Sequence, residues 1–361
     1  MNAVAFEAER WYADRGRTPV RVETLDALGP LEVVRVEFAE GEPALYTLLR
    51  SEPLWAELFV EARGAFAADG EPPVGEQVAL DVDQSHSSWR VGDTYVKCFR
   101  RLVRGEHPEV ELGAVLGEAV PEHVPRLRGS LRWQDVTVAV VQDFVGEAEE
   151  GWEWAAARAV AGEAGFAEAV GGVARRLHDA LREKFPTRES TQADRTEWRR
   201  TAEEQLEAAL SFVGDAAGRI RGELEVLEQG PPVLLTRIHG DLHVGQFLHA
   251  PTRIVVIDFE GQPARSSREL DTPLRDLASL ARSLDHCGRY AVESHGGDPA
   301  RVEQWIRDAR ANLFRGYGPH EEVLLRALEF DRAVYEFTYA SRYLPNWLYA
   351  PRGGLRALLE Q

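Results

Sequence analysis

The sequence predicts an α+β chain whose first part is antiparallel and β-rich and whose second part is mostly helical. Two observations predict it. Up to about residue 146, short runs rich in Val, Leu, Tyr and Thr alternate apolar and polar residues with period two. After Gly151, long Ala/Arg/Glu/Leu segments with helical spacing take over. A Gly/Pro-rich break at 68–75 further divides the β-rich part, so three segments are expected: a β-rich N-terminal subdomain over 1–75, a β-rich lobe over 76–146 and a helical lobe over 147–361.

The elements are taken in chain order. Residues 19–25, 31–38 and 44–49 read as strands, with Glu40-Gly41-Glu42-Pro43 as a hairpin turn before the third. Residues 54–67 read as a short helix that puts Trp55, Leu58, Phe59, Ala62 and Phe66 on one face. Residues 78–82, 89–91, 94–99 and 136–142 read as strands. A helix over 108–119 interrupts them, with Pro108 in its first turn. Helices are expected over 152–185, 194–229, 299–315 and 320–343. The apolar runs 233–238 and 253–259 are read as a β-ribbon joined by a polar loop.

Composition excludes some functions. Sixty acidic residues against 42 basic ones leave a formal charge of −18, which disfavours extended polyanions such as nucleic acid and anionic membrane surfaces. Only two of the basic residues are lysines, Lys97 and Lys184. The two cysteines, Cys98 and Cys287, lie in no metal-binding spacing and read as reduced thiols of a cytoplasmic protein. No apolar h-region opens the chain and no run reaches membrane-spanning length.

The chemistry concentrates in Ile238-His239-Gly240-Asp241-Leu242-His243-Val244-Gly245-Gln246, followed by Val255-Val256-Ile257-Asp258-Phe259-Glu260. Phosphoryl transfer needs a carboxylate to accept the acceptor hydroxyl's proton and oxygen ligands for Mg²⁺ at the phosphates. Asp241 suits the first role, and Gln246 with Asp258 the second. Upstream, Lys97 sits in the middle of the 94–99 strand, and Glu111 in the following helix is its expected partner, with Glu109 as a rival two positions away. Residues 84–88, Gln84-Ser85-His86-Ser87-Ser88, form a polar connection whose N–H groups and the hydroxyls of Ser85, Ser87 and Ser88 could meet phosphate oxygens. Gln142, Phe144 and Val145 end the β-rich lobe, where backbone groups could receive an adenine.

These motifs resemble the aminoglycoside-phosphotransferase/choline-kinase branch of the protein-kinase-like fold. Within it, the chain is similar to the actinobacterial maltokinase group and its relatives, which include glucosamine kinases. The resemblance also rests on Arg10-Trp11-Tyr12, His107-Pro108-Glu109-Val110-Glu111-Leu112, Pro273-Leu274-Arg275-Asp276, Val334-Tyr335-Glu336, Arg342 and Pro345-Asn346-Trp347. It implies a bilobal kinase fold with an extra N-terminal cap, ATP and Mg²⁺ as cosubstrates, and a sugar acceptor. It also implies Asp241 as catalytic base, Gln246 and Asp258 as metal ligands, and a Lys97–Glu111 ion pair. A shorter chain than a maltokinase and an altered segment after Glu336 favour glucosamine, with maltose next. An antibiotic phosphotransferase and a catalytically silent nucleotide-binding module are the alternatives. The protein is expected to act as a monomer.

For the acceptor, Tyr335, Glu336, Tyr339, Arg342, Trp347 and Tyr349 form an aromatic and charged cluster, with Tyr335 and Tyr339 on one helix face. Tyr335, Glu336, Tyr339 and Trp347 are the expected acceptor contacts beside Asp241. Asp276 and His239 read as anchors of the polar loop rather than as reactants.

Overall fold

The computed structural model describes residues 11–14, 16–80, 86–261 and 269–360. The chain divides into two compact units, Met1–Gly146 and Glu147–Gln361.

The first unit opens with β1 (Pro19–Leu28), β2 (Leu31–Phe38) and β3 (Ala44–Leu49), an antiparallel meander. In β2 both faces are covered. Leu31 and Val33 point to one core, and Val34, Val36 and Phe38 to a second, with Tyr12 and Tyr46. The helix α1 (Trp55–Glu61) is shorter than expected, because Phe66 belongs to a strand, β4 (Phe66–Gly70). The strands β5 (Gln77–Leu80), β6 (His86–Val91) and β7 (Thr94–Phe99) come next, then the two-residue β8 (Arg101–Leu102), α2 (Pro108–Ala119), β9 (Leu127–Trp133) and β10 (Val136–Asp143). Six of these strands form one antiparallel sheet in the order β4-β9-β10-β7-β6-β5.

Two exchanges bind the 1–75 segment to the rest of the first unit. The strand β4 pairs with β9, and β8 returns to pair with β3. Trp55 of α1 meets Trp89 of β6 edge-on, with ring centroids 5.2 Å apart, inside a core that also holds Leu31, Phe59, Trp133 and Val140. The Gly/Pro-rich stretch at 68–75 therefore does not separate two bodies. The strand from Phe66 to Gly70 is hidden in the sequence by apolar spacing that also fits a helix.

The second unit begins with β11 (Glu149–Glu150), α3 (Gly151–Ala161) and α4 (Phe166–Lys184). Two helices thus stand where one long helix is expected. Gly162, at φ +77°, ends α3 in the left-handed conformation that glycine adopts without strain. Beyond β12 (Arg188–Glu189), the expected 194–229 helix is likewise divided into α5 (Gln192–Val213), α6 (Ala217–Leu224) and α7 (Val226–Gln229). The first of these opens on a reciprocal cap between Thr191 and Asp194.

The ribbon differs from expectation. Leu234–Leu235 (β13) pairs with β12, not with 253–259. The hairpin is instead β14 (Phe247–Ala250) with β15 (Arg253–Val256), and β11 lies on its outer edge. The helices α8 (Leu274–His295), α9 (Pro299–Tyr317), α10 (Glu322–Tyr343) and α11 (Tyr349–Glu360) complete the unit. Neither α8 nor α11 is among the helices expected from the sequence. The first is central: Leu277, Leu280, Ala281, Leu284 and Cys287 are fully buried along it.

The start of α3 sets the height of the polar loop. Gly151 is so close to the Val244 and Phe247 carbonyl oxygens that a Cβ there would collide with both. Gly151→Ala should lower stability by about 1–3 kcal/mol through this backbone clash. Thermal melts of the variant beside Gly165→Ala, whose added Cβ meets nothing within 4 Å, check it.

Candidate active site

In the first unit, β7 carries Lys97 between Val140 of β10 and Ser88 of β6. Its ammonium is buried, 2.7 Å from Glu109 Oε1. The second carboxylate oxygen of Glu109 accepts a hydrogen bond from Gln142 Nε2 at 3.2 Å. The expected Lys97–Glu111 pair is therefore corrected: Glu109 is the partner. The cause lies in which face of α2 each residue takes. His107 is the N-cap, accepting from the Glu109 N–H at 3.3 Å, and both glutamates lie in the first turn, but Glu109 is buried while Glu111 is partly exposed. A carboxylate at a helix N-terminus also meets the positive end of the helix dipole. Phe99 stacks on His107 at 3.9 Å and fixes that cap.

The expected phosphate-facing serines are placed otherwise. Ser85 lies outside the described residues. Ser87 and Ser88 belong to β6 rather than to a loop. Ser87 Oγ accepts from the Arg100 guanidinium at 2.7 and 2.9 Å, and Ser88 Oγ is 2.6 Å from the Tyr95 hydroxyl. At the other end of the sheet, the Gln142 side chain serves the Lys97–Glu109 pair. The Phe144 N–H donates to the Asp93 carbonyl at 2.8 Å, and the Arg90 guanidinium lies over the Phe144 ring. Val145 follows Phe144 in the short connection before β11.

In the second unit, residues 239–246 are held by Asp276, the third residue of α8. Its carboxylate accepts from the His239 N–H at 2.8 Å and the Gly240 N–H at 2.9 Å. Gly240 takes φ +86°, which lets the chain turn so that two successive N–H groups converge on one carboxylate. The same carboxylate meets His178 Nε2 at 3.0 Å, and His178 Nδ1 meets the Tyr317 hydroxyl at 2.9 Å. His239 Nε2 lies 3.0 Å from the Ile257 carbonyl oxygen, which ties the loop to the end of the hairpin. Asp276 and His239 thus anchor the loop as expected.

The hairpin then brings Gln246 and Asp258 together. Phe247 pairs with Val256, and the Ile257 N–H donates to the Gln246 carbonyl at 3.0 Å, so residues 246 and 258 leave the same end of the ribbon. Gln246 Nε2 donates to Asp258 Oδ2 at 3.1 Å. Asp258 has φ +67°, an uncommon conformation for a side-chain-bearing residue and one that concentrates at functional sites. An amide and a carboxylate supply the hard oxygen donors that Mg²⁺ takes, so the donor chemistry fits that ion. Asp241 Oδ1 lies 3.3 Å from Arg332 Nη2. Burial pushes His243 below the ordinary histidine range, the nearby Arg332 charge adds to this, and its Nδ1 accepts from the Gly245 N–H at 3.1 Å.

The expected acceptor cluster divides in two. Tyr335 and Tyr339 sit near Asp241: burial raises both hydroxyls and the Asp241 charge raises them further. Glu336, by contrast, is committed to α8. Its carboxylate meets Arg282 at 2.7 Å and His286 at 3.0 Å. Trp347 stacks on Tyr290 at 5.2 Å, with Trp152 5.7 Å away. A cavity of about 750 Å³ is lined by Gly240, Asp271, Arg275, Arg332 and Tyr335, and by Trp198 of α5.

Three residues of the site, His178, Arg282 and Arg332, escape a reading of the sequence. His178 has a legible signal: it interrupts the apolar stripe Val170, Val173, Ala174, Leu177 and Leu181. Arg332 has none, being one arginine among many.

Residues 76–324 match the model of the phosphotransferase enzyme family, and the chain belongs to that family. It is 32% identical over 333 residues to a glucosamine kinase of Mycolicibacterium smegmatis, covering 81% of each chain. It is 31% identical to a glucosamine kinase of Streptacidiphilus jiangxiensis, covering 82% of this chain and 76% of that one. Among solved structures it is similar to a glucosamine kinase in complex with glucosamine, ADP and inorganic phosphate. That match has a TM-score of 0.76 and 26% identity over 99% of this chain and 100% of the other. The protein is thus a kinase that transfers phosphate to an alcohol group. Among the described residues, no helix is long and apolar enough to cross a membrane.

The two buried carboxylates can be tested separately. Glu109→Gln should lower kcat/KM for ATP by roughly tenfold or more, since it uncouples a buried ion pair, and Glu111→Gln should cost clearly less. Steady-state kinetics of the two variants decide which glutamate serves Lys97. For Asp276, burial alone would raise the carboxyl, but His178 and the Gly240 N–H outweigh it and hold it below the usual carboxylate range. A group depressed in the folded state stabilises the fold above its unfolded pKa, about 4, and loses that contribution as pH falls through the folded value. Asp276→Asn should therefore cost about 3–5 kcal/mol near neutrality and flatten the decline of Tm below about pH 4, as thermal melts across that range would show.

Proposed function

We propose that the protein is a glucosamine kinase. It transfers the γ-phosphate of ATP to a hydroxyl of glucosamine, with maltose as the next acceptor to consider. The observation that carries this is the likeness along nearly the whole chain to a kinase solved with glucosamine and ADP. The anchored loop with Asp241 and the adjoining Gln246–Asp258 pair supply the groups such a transfer needs.

In this reading Asp241 accepts the proton of the acceptor hydroxyl as its oxygen attacks the γ-phosphorus, and ADP leaves carrying the electrons of the broken P–O bond. Gln246 and Asp258 hold Mg²⁺, which offsets the charge on the phosphate oxygens when bound. Lys97, held by Glu109 and Gln142, meets phosphate oxygens in the first unit. The backbone around Phe144 and Val145 receives the adenine. Tyr335 and Tyr339 supply aromatic surface for a sugar ring.

ADP release measured with glucosamine, glucose, maltose, trehalose and kanamycin tests the reading. The expected result is turnover that depends on glucosamine and is abolished or lowered at least a hundredfold in Asp241→Asn. No acceptor-dependent ADP with any sugar would overturn it, and turnover of kanamycin alone would move the protein among antibiotic phosphotransferases.

A further inference from the structure

Aromatic side chains in this protein are buried or half-buried, with two exceptions. Among the described residues, only Tyr339 and Tyr343 are exposed, at 44% and 55%, and both lie on α10. Their ring centroids are 5.1 Å apart, and the Tyr339 ring is 6.0 Å from that of the half-buried Tyr335. Spacing of four residues lines the three rings along one side of the helix for about 12 Å. Leu344, the next residue, is exposed as well. Single exposed apolar residues are ordinary, whereas a contiguous aromatic row marks an interaction surface. The row begins at the proposed base. Arg332 Nη2 lies 3.3 Å from Asp241 Oδ1, and the same guanidinium is 5.2 Å from the centre of the Tyr335 ring. Burial raises the Tyr335 and Tyr339 hydroxyls and the Asp241 charge adds to this, so both lie within the field of that carboxylate. Tyr343 stands one helical turn further along.

We infer that α10 carries a second sugar subsite: the reacting amino sugar lies against Tyr335 and Tyr339, and a further pyranose ring, joined to it by a glycosidic bond, lies on Tyr343. The inference rests on the amino-sugar reading above. A pyranose presents a face of C–H groups rimmed by hydroxyls. Tyrosine offers the matching pair, a flat apolar ring with a polar tip. Among the described residues, none hydrogen-bonds to the phenol hydroxyls of Tyr335, Tyr339 or Tyr343, so all three are open to a sugar's hydroxyls. The steps of 6.0 and 5.1 Å between rings suit one linked pyranose after another. A protein partner fits less well. It needs a broad apolar patch with a buried centre, whereas this row is narrow and Ser341 and Arg342 beside it are exposed. Continuity with Asp241 ties the row to the acceptor: the ring on Tyr343 extends the same molecule whose hydroxyl meets the base.

The test compares kcat/KM, read as ADP release, for glucosamine and for its β-1,4-linked disaccharide in the wild-type enzyme and in Tyr343→Ala, Tyr343→Gln and Tyr343→Phe. The expected result is a wild-type preference for the disaccharide of roughly fivefold, the scale of one aromatic contact. Tyr343→Ala should remove most of that preference, and Tyr343→Phe, which keeps the ring, should retain it to within about twofold. Tyr343→Gln serves if Tyr343→Ala does not fold. A wild-type enzyme that uses glucosamine but shows no preference for the disaccharide would overturn the inference alone. So would an unchanged preference in a folded Tyr343→Ala enzyme, or an equal loss with both acceptors. Sedimentation of the same proteins covers the other occupant: a wild-type dimer that Tyr343→Ala dissociates would assign the row to a second copy of the chain and overturn the subsite. Turnover of neither acceptor is a distinct outcome. It would overturn the amino-sugar reading and this inference with it.

Discussion

The second unit is organised around one carboxylate. Asp276 is buried in the first turn of α8 and takes three polar partners: two consecutive N–H groups of the loop and the ring of His178. The loop and the histidine come from distant parts of the chain. Without Asp276, both N–H groups would lose their acceptor, and for the buried His239 that costs well above the value of an ordinary surface hydrogen bond. From there the order passes outward. His239 fixes Ile257, the β14–β15 hairpin fixes Gln246 against Asp258, and Gly151 sets α3 directly against the Val244 carbonyl. The geometry of the candidate site is thus set largely by packing and hydrogen bonding around Asp241, Gln246 and Asp258.

The first unit has a parallel logic on a smaller scale. A buried lysine is costly unless a carboxylate meets it, and that carboxylate needs its remaining oxygen satisfied. Lys97, Glu109 and Gln142 meet both needs across β7, α2 and β10. The His107 cap and the Phe99 ring then keep the first turn of α2 in register with the sheet. A single extra residue before Pro108 would rotate Glu109 by about 100° around the helix and dissolve the pair.

Much of the site is legible in the sequence because its residues are contiguous or nearly so. The loop 239–246 and Asp258 are separated by a short hairpin, and the scarcity of lysine makes Lys97 conspicuous. Pairings decided by tertiary packing are not legible. The choice of Glu109 over Glu111 depends on which side of α2 faces β7, and both residues carry the same charge in the same helix. The helix α8 is hidden because its buried face includes Asp276, Arg282 and Asp285, polar residues that break an apolar pattern yet are paired inside the fold. The hairpin partner is ambiguous because 233–238 and 253–259 are both apolar, and only register tells them apart. Leu234–Leu235 pairs with β12 instead.

If Asp276 sets the geometry of the Asp241 loop, its loss should damage transfer more than nucleotide binding. The most direct measurement is kcat for acceptor-dependent ADP release in Asp276→Asn, taken well below its melting temperature, beside calorimetric binding of a non-hydrolysable ATP analogue. The expected result is a fall in kcat of roughly a hundredfold or more, with analogue affinity within about threefold of the wild-type protein. A folded Asp276→Asn enzyme with wild-type kcat would contradict the role assigned to this carboxylate.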